Sequence, residues 1–422
     1  MRVFYSSILY LLTPFVLARL LWRGIKAPAY WRRWSERFAF YHHSHRQGVV
    51  WFHAVSVGEA ESLFPLVRLL LEKRPDSKVL VTTTTPTGSS RVKAVLEEKV
   101  EHVYLPYDLP GAVQRFMEHF RPVMAVIMET EIWPNLFSQC RKNNIPLMIA
   151  NARLSDKSFR RYQKIPSLVH FCLARVNSIA AQTTEDAARF IALGARENGV
   201  SVTGNIKFDL DIPEEIRAQG ALLKATVFPG RLVWIVASTH RGEDEIFLSC
   251  YRQLKQVFPQ LLLMLVPRHP ERFSEVKNLA LREHFRVLLR TEGKPCQQQT
   301  DVYVADTMGE LKMLYAAADL AFVAGSMVPV GGHNVLEPAA LAVPVMFGPH
   351  MHNFRDIAKG LLAADAAVQC RDAAELLEQT QVLLGDARQR KRLAVHGQAF
   401  VLNNQGALQR VYNKISQNLD DD

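Results

Sequence analysis

DLAFVAGSMVPVGGHNVLEPAALAVPVMFGPHMHNF, residues 319–354, decides the fold. DLAFVAG is a short apolar run rich in β-formers, PVMFG repeats that character, and between them lie a glycine loop and a helical pattern. A strand, a loop, a helix expected to begin near His333 or Asn334, and a second strand make one β-α-β unit, and such units build parallel sheets. Open α/β sheets bind ligands where their strands run out into loops of this kind. Gly331 and Gly332 lack a Cβ, so backbone N–H groups are expected to approach a ligand there. The helix start behind them adds partial positive charge, which together reads as a phosphate site. Glu337 falls in the first turn, placed to accept hydrogen bonds from ribose hydroxyls. Pro338 is tolerated because early helical N–H groups lack intrahelical partners.

The alternation extends in both directions. AAVQC (366–370) follows; VYVAD (302–306), FRVLLR (285–290), LLLMLVP (261–267) and LVWIVAS (232–238) precede, with helical patterns between. The series breaks at KFDLDIP (207–213). Before the break stand VVWFHAV (49–55), KVLVTTTT (78–85), HVYLP (102–106), VMAVIME (123–129), PLMIAN (146–151) and VSVTGN (200–205). A helix read from Glu59 puts Leu63, Phe64, Leu66, Val67, Leu70 and Leu71 on one side. At 422 residues, 48% of them hydrophobic, the chain exceeds what one core supports. The expectation is α/β, with a Rossmann-like domain at 47–207 and a second at 208–422, whose last helix packs back on the first. Neither half contains G-x-G-x-x-G or a P-loop, which disfavours a hydride-transfer enzyme and a kinase.

Charge is concentrated at the front. Of a net +10, seven units lie before residue 47, from eight basic residues against Glu36 alone. Residues 3–22, VFYSSILYLLTPFVLARLLW, hold one charge, Arg19, close enough to the end to snorkel, and are just long enough to cross a bilayer. No small-residue cleavage site follows, so a signal-anchor is expected. Basic residues behind it place the rest of the chain in the cytoplasm. Trp22, Tyr30, Trp31 and Trp34, interleaved with arginines, suit a headgroup layer, and this crowding beside an apolar stretch disfavours nucleic acid. The five cysteines are scattered, odd in number and free of CxxC, which fits a reducing compartment. No D-x-D motif stands near a strand end in the second half, and His42, His43 and His45 lack a carboxylate or cysteine partner at ligand spacing, so no metal is expected.

Eight runs occur in order: HAVSVGE (53–59), METEIWPN (128–135), NARLS (151–155), ASTHRGE (237–243), VPRHPER (266–272), DTMGEL (306–311), GGHNVLEP (331–338) and PVMFGPHMHNF (344–354). Together they resemble the bacterial 3-deoxy-D-manno-octulosonic acid (Kdo) transferases of lipopolysaccharide assembly. The resemblance implies a GT-B fold, two Rossmann-like domains facing a cleft, and an inverting transfer of Kdo from CMP-Kdo to the lipid A precursor at the cytoplasmic face of the inner membrane. It implies Glu59 as the general base, with Glu129 and Glu131 as supporting carboxylates. On the donor side it implies Arg268 and His269 near the nucleotide and Gly331, Gly332, His333 and Asn334 as donors to the departing phosphate. Ser238, Thr239 and His240 would reach phosphate or sugar, Met308 and Gly309 would begin a helix reading the base, Glu337 would take the ribose, and Lys207 would meet the donor carboxylate. Arg153 and Ser155 would meet the acceptor. A UDP-sugar transferase of the same fold and a membrane-tethered inactive relative are the competing readings.

Overall fold

The computed structural model describes residues 2–41 and 46–420; the His42, His43 and His45 run lies outside them. The chain forms two compact units, Met1–Asp209 with Gln405–Asp422, and Leu210–Asn404.

The first unit holds a seven-stranded, wholly parallel sheet. In chain order its strands are β1 (Val50–His53), β2 (Val79–Thr83), β3 (Glu101–Tyr104), β4 (Met124–Met128), β5 (Leu147–Ala152), β6 (Ser178–Ala181) and β7 (Val200–Val202), and their spatial order is β3-β2-β1-β4-β5-β6-β7. Sequence reasoning missed β6. Its Ser-Ile-Ala-Ala carries little β propensity, and it is a strand because β5 and β7 pair with it on both sides. One apolar layer packs Trp51, Phe116, Phe120 and Phe137 on one face of the sheet; the other packs Leu63, Phe64, Val67 and Leu70 of the helix Val57–Lys73. That second layer also takes Val411, Tyr412 and Ile415 of the closing helix Ala407–Asp420, which therefore belongs to the first unit and not to the second.

The second unit repeats the plan with β8 (Leu232–Thr239), β9 (Leu261–Pro267), β10 (Val287–Leu289), β11 (Val302–Val304), β12 (Leu320–Val323), β13 (Val345–Phe347) and β14 (Ala367–Gln369), ordered β10-β11-β9-β8-β12-β13-β14 and all parallel. The strand order turns between β1 and β4 in the first sheet and between β8 and β12 in the second, where β11 is also inserted between β9 and β10. Loops leaving those neighbours diverge to opposite faces and open a crevice at the carboxyl ends of the strands.

Ahead of the first sheet runs a helix, Arg2–Lys26, long and apolar enough to cross a membrane. The aromatic-basic segment behind it is partly structural. Arg37 is buried with both terminal nitrogens donating to the Thr84 carbonyl (3.1 Å), and Arg33 binds Glu36 (2.6 Å) and the His102 carbonyl (2.7 Å). The guanidinium groups of Arg33 and Arg37 lie over the Tyr104 ring at 4.8 and 4.3 Å, which ties both cations to the first unit.

Candidate active site

At the first switch point, β1 ends in HAVSVGE and the following helix begins at Val57, two residues earlier than read from the sequence, with Ser56 as its N-cap. Glu59 is the third helical residue and bonds on both sides of the N-cap. Its N–H donates to Ser56 Oγ (3.4 Å), and its Oε2 accepts from the Val55 N–H (2.7 Å). Burial pushes the Glu59 carboxyl up to about 8; Val55 pulls it down, and the charges of Glu129 and Glu131 push it up again. Its neighbour Glu61 turns away and accepts from Arg91 Nε (2.6 Å).

Glu129 and Glu131 leave β4, the partner of β1 across the switch. Glu129 holds a left-handed backbone (φ +57°), a strained conformation for a side-chain-bearing residue that fits a site held in place by its surroundings. Burial pushes Glu131 up to about 7. Lys207 Nζ lies 3.8 Å from Glu129 Oε1. The structure thus gathers Glu59, Glu129, Glu131 and Lys207, and places Lys207 among acids of the first unit.

Ser155 is exposed and serves as the N-cap of the helix Asp156–Tyr162, its Oγ accepting from the Ser158 N–H (3.2 Å). Arg153, two residues before it, is half-buried at the exit of β5. Asn151, in the same NARLS run, was missed. It is fully buried with φ +52°, its Oδ1 accepts from the Ile206 N–H (3.1 Å), and its carbonyl accepts from Gln182 Nε2 (2.9 Å). Asn151 thereby ties the segment carrying Lys207 to the sheet.

At the second switch point, β8 ends in a bulge with Ser238 at φ +65°. Thr239, expected to reach a ligand, is instead wholly buried, and its carbonyl accepts from the Arg268 N–H (3.2 Å) and from Arg272 (2.8 Å). Its role is to hold the loop that bears Arg268 and His269, both exposed. Glu243, the last residue of ASTHRGE, organises this end. Wholly buried, its carboxylate accepts N–H groups from His240 (3.0 Å), Gly325 (2.8 Å), Ser326 (3.1 Å) and Met327 (3.0 Å), lacing the loop after β8 to the loop after β12. Sequence reading passed over it; the signal was an acid placed four residues past a strand end.

His240 and His333 lie parallel with centroids 5.1 Å apart and Nε2 atoms 2.8 Å apart, and His269 meets His240 edge-on at 5.5 Å. Burial, then the neighbouring rings and Arg268, lower His333 to about 4, so the pair is neutral and one ring donates to the other.

The glycine pair does not form the expected amide cradle. Gly331 and Gly332 both donate to the Gly325 carbonyl (3.1 and 2.8 Å), so those N–H groups are spent inside the loop. They are glycines because φ is +114° and +74° and because a Cβ would meet Asn353 Nδ2 at 2.5 Å and Met351 Sδ at 2.3 Å. The helix behind them starts at Leu336, not at His333 or Asn334, and is five residues long, Leu336–Ala340, too short for much of a macrodipole. Asn334 Oδ1 accepts from the Leu336 N–H (3.1 Å) and Asn334 Nδ2 donates to Glu337 (3.3 Å), so two predicted donor-site residues support each other. Met308 and Gly309 sit in a turn, and the helix expected to begin with them starts at Leu311.

A family model described as "3-Deoxy-D-manno-octulosonic-acid transferase (kdotransferase)" matches residues 32–210. The 3-deoxy-D-manno-octulosonic acid transferase of Haemophilus influenzae is 41% identical over 414 residues, 97% of this chain and 97% of that protein. The one from Bordetella pertussis is 37% identical over 86% of this chain and 85% of its own length. Among solved structures, UDP-GlcNAc 2-epimerase from Neisseria meningitidis bound to UDP-GlcNAc superposes with a TM-score of 0.55 over 88% of this chain and 100% of that one. At 12% identity it shows the shared two-domain, GT-B-like fold alone. With half-buried carboxylates gathered at one switch point and a laced loop pair at the other, this chain belongs to the 3-deoxy-D-manno-octulosonic acid transferase family, the glycosyltransferases that move Kdo in lipopolysaccharide biosynthesis.

Proposed function

We propose that this enzyme transfers Kdo from CMP-Kdo to a hydroxyl of the lipid A precursor with inversion, Glu59 taking the proton. The acceptor oxygen forms a bond to the anomeric carbon as the bond from that carbon to the phosphate oxygen breaks. CMP leaves with the electron pair, and the hydroxyl proton passes to the Glu59 carboxylate. The observation that carries this reading is the Glu59 carboxyl itself: half-buried at the β1/β4 switch point, flanked by two further acids, and raised to about 8, where a carboxylate is basic enough to accept a proton. Glu129 and Glu131 raise that basicity, and Lys207 offsets part of their charge.

On the second unit, Arg268 supplies a planar fork for phosphate or cytosine acceptors, and His269 lies beside it. The neutral His240–His333 pair supplies one N–H to the leaving phosphate, and Glu337 with Asn334 takes the ribose. The amides of His333 and Asn334 donate to no acceptor among the described residues, and they replace the glycine amides as backbone donors. These groups complete the charge stabilisation without a metal ion, so the rate is expected to be unchanged by EDTA. Arg153 meets the acceptor headgroup, and the apolar N-terminal helix keeps the enzyme at the membrane that holds this substrate.

CMP release from CMP-Kdo with a lipid A precursor tests the assignment. Glu59→Gln is expected to lower kcat by roughly 10²–10⁴-fold with the CMP-Kdo KM little changed. Equal rates would remove Glu59 from the role, and turnover only with a UDP-sugar would remove the donor.

A further inference from the structure

A membrane-spanning helix would leave Arg2 and Lys26 on opposite sides of a hydrocarbon layer about 30 Å thick. The N-terminal helix instead touches the first unit near its start and packs at its end on the turn Pro28–Trp31 that follows it. At its start, Arg2 binds Ser138 Oγ, and Ser6, only 8% exposed, donates to Asn135 Oδ1 (3.0 Å). Asn135 is itself held by Asp108, which accepts its backbone N–H (3.0 Å) and its side-chain amide (2.6 Å). At mid-length, Tyr10, Thr13 and Leu17 face Phe38 and Leu109 across an open groove of about 500 Å³. At its end, Leu20 is buried, Gly24 lies under the Trp31 ring, and Trp31 Nε1 donates to the Leu21 carbonyl (3.1 Å).

The opposite face is uncovered. Phe4, Leu11, Phe15 and Trp22 recur at i, i+7, i+11 and i+18, one stripe of an α-helix, and Leu11 and Phe15 are 79% and 78% exposed. Beside the stripe's end stand exposed Arg19, Arg23 and Lys26, with Lys26 4.7 Å over the Trp22 ring and Arg23 5.6 Å over Tyr30. Bulky apolar groups bordered by cations and interfacial aromatics match an anionic lipid surface.

We propose that this helix is an in-plane anchor and not a transmembrane one: docked on the first unit, it sinks the Phe4–Leu11–Phe15–Trp22 stripe into a single leaflet of anionic bilayer. Both ends then remain on the side of the catalytic units.

A protease site placed ahead of Met1 in the full chain reads this directly. Cleavage in inside-out vesicles, together with a control site after Asp422, is the expected result. Cleavage of the leading site from outside intact spheroplasts would overturn the proposal. In a second arm, Leu11→Glu with Phe15→Glu, both outside the contacts that hold the helix, is expected to reduce co-sedimentation with phosphatidylglycerol–phosphatidylcholine vesicles at least tenfold with circular dichroism unchanged. Undiminished sedimentation, or equal binding of the wild type to phosphatidylcholine alone, would overturn it. Neither readout uses Kdo transfer, so both stand if the catalytic assignment fails.

Discussion

Glu59 joins two demands that usually conflict. As the third residue of a helix it caps the Val55 N–H, which favours the charged form, yet burial and two neighbouring acids favour the neutral form and win, raising its pKa to about 8. A base is active only when deprotonated, so kcat/KM is expected to climb tenfold per pH unit up to about pH 8 and then level, and a profile flat from pH 6 upward would contradict the assignment. The same shift has a stability signature of known sign. Because the folded pKa lies above the unfolded one, Glu59 opposes folding progressively as pH rises from about 4.5 through 8. Glu59→Gln, which stays neutral, should therefore gain in Tm relative to wild type between those limits, and thermal melts at the two ends measure it. Glu59 was legible as a residue because an acid directly after Gly58 at a strand end is conspicuous in sequence. Its environment was not, since Glu129 and Glu131 are distant in the chain and meet it only through the β1–β4 pairing.

Loops at the second switch point show how a motif can be found for an incomplete reason. GGHNVLEP suggests an amide cradle before a helix, but backbone hydrogen bonds are decided by which carbonyl lies nearby, and Gly325 claims both glycine amides. What the glycines provide is room and a left-handed turn. Gly332→Ala must place a Cβ against Met351 at φ +74°, a clash and a strained backbone together costing about 2 kcal/mol. The second unit should melt about 4–8 °C lower, and the CMP-Kdo KM should rise because His333 and Asn334 follow directly; an unperturbed Tm would contradict the packing role. Glu243 acts on the same loops from behind. Glu243→Gln keeps an acceptor but loses the charge that binds four amides, and it should weaken CMP-Kdo binding while kcat at saturation changes less. Titration with CMP-Kdo separates the two quantities. Strand identity was legible throughout, except at β6, because alternating apolar runs record burial, whereas hydrogen-bond partners across distant loops leave no periodic trace.

The division of the chain also turns on one carboxylate. A break at KFDLDIP was visible from composition, but the return of the C-terminal helix to the first unit depends on contacts between residues almost two hundred positions apart. The chain passes between units twice, after Asp209 and after Asn404. Asp209 joins the two passages on the first unit: its Oδ1 accepts from the Gly406 N–H (2.5 Å) and its Oδ2 from the Leu408 N–H (2.8 Å), capping the closing helix. Arg410 adds a bond from Nε to the Thr203 carbonyl (2.8 Å), and Val411 and Ile415 supply the apolar seat. Two charge-assisted bonds at a helix start contribute on the order of 2–4 kcal/mol, while the apolar seat survives their loss. Asp209→Ala should therefore leave the helix bound on average but fraying from its start, with faster hydrogen exchange at Gly406–Leu408 and new proteolysis near Gln405. Exchange in the β1–β4 core should stay at wild-type rates. Unchanged protection at Gly406 would show that the apolar seat alone holds the chain's return.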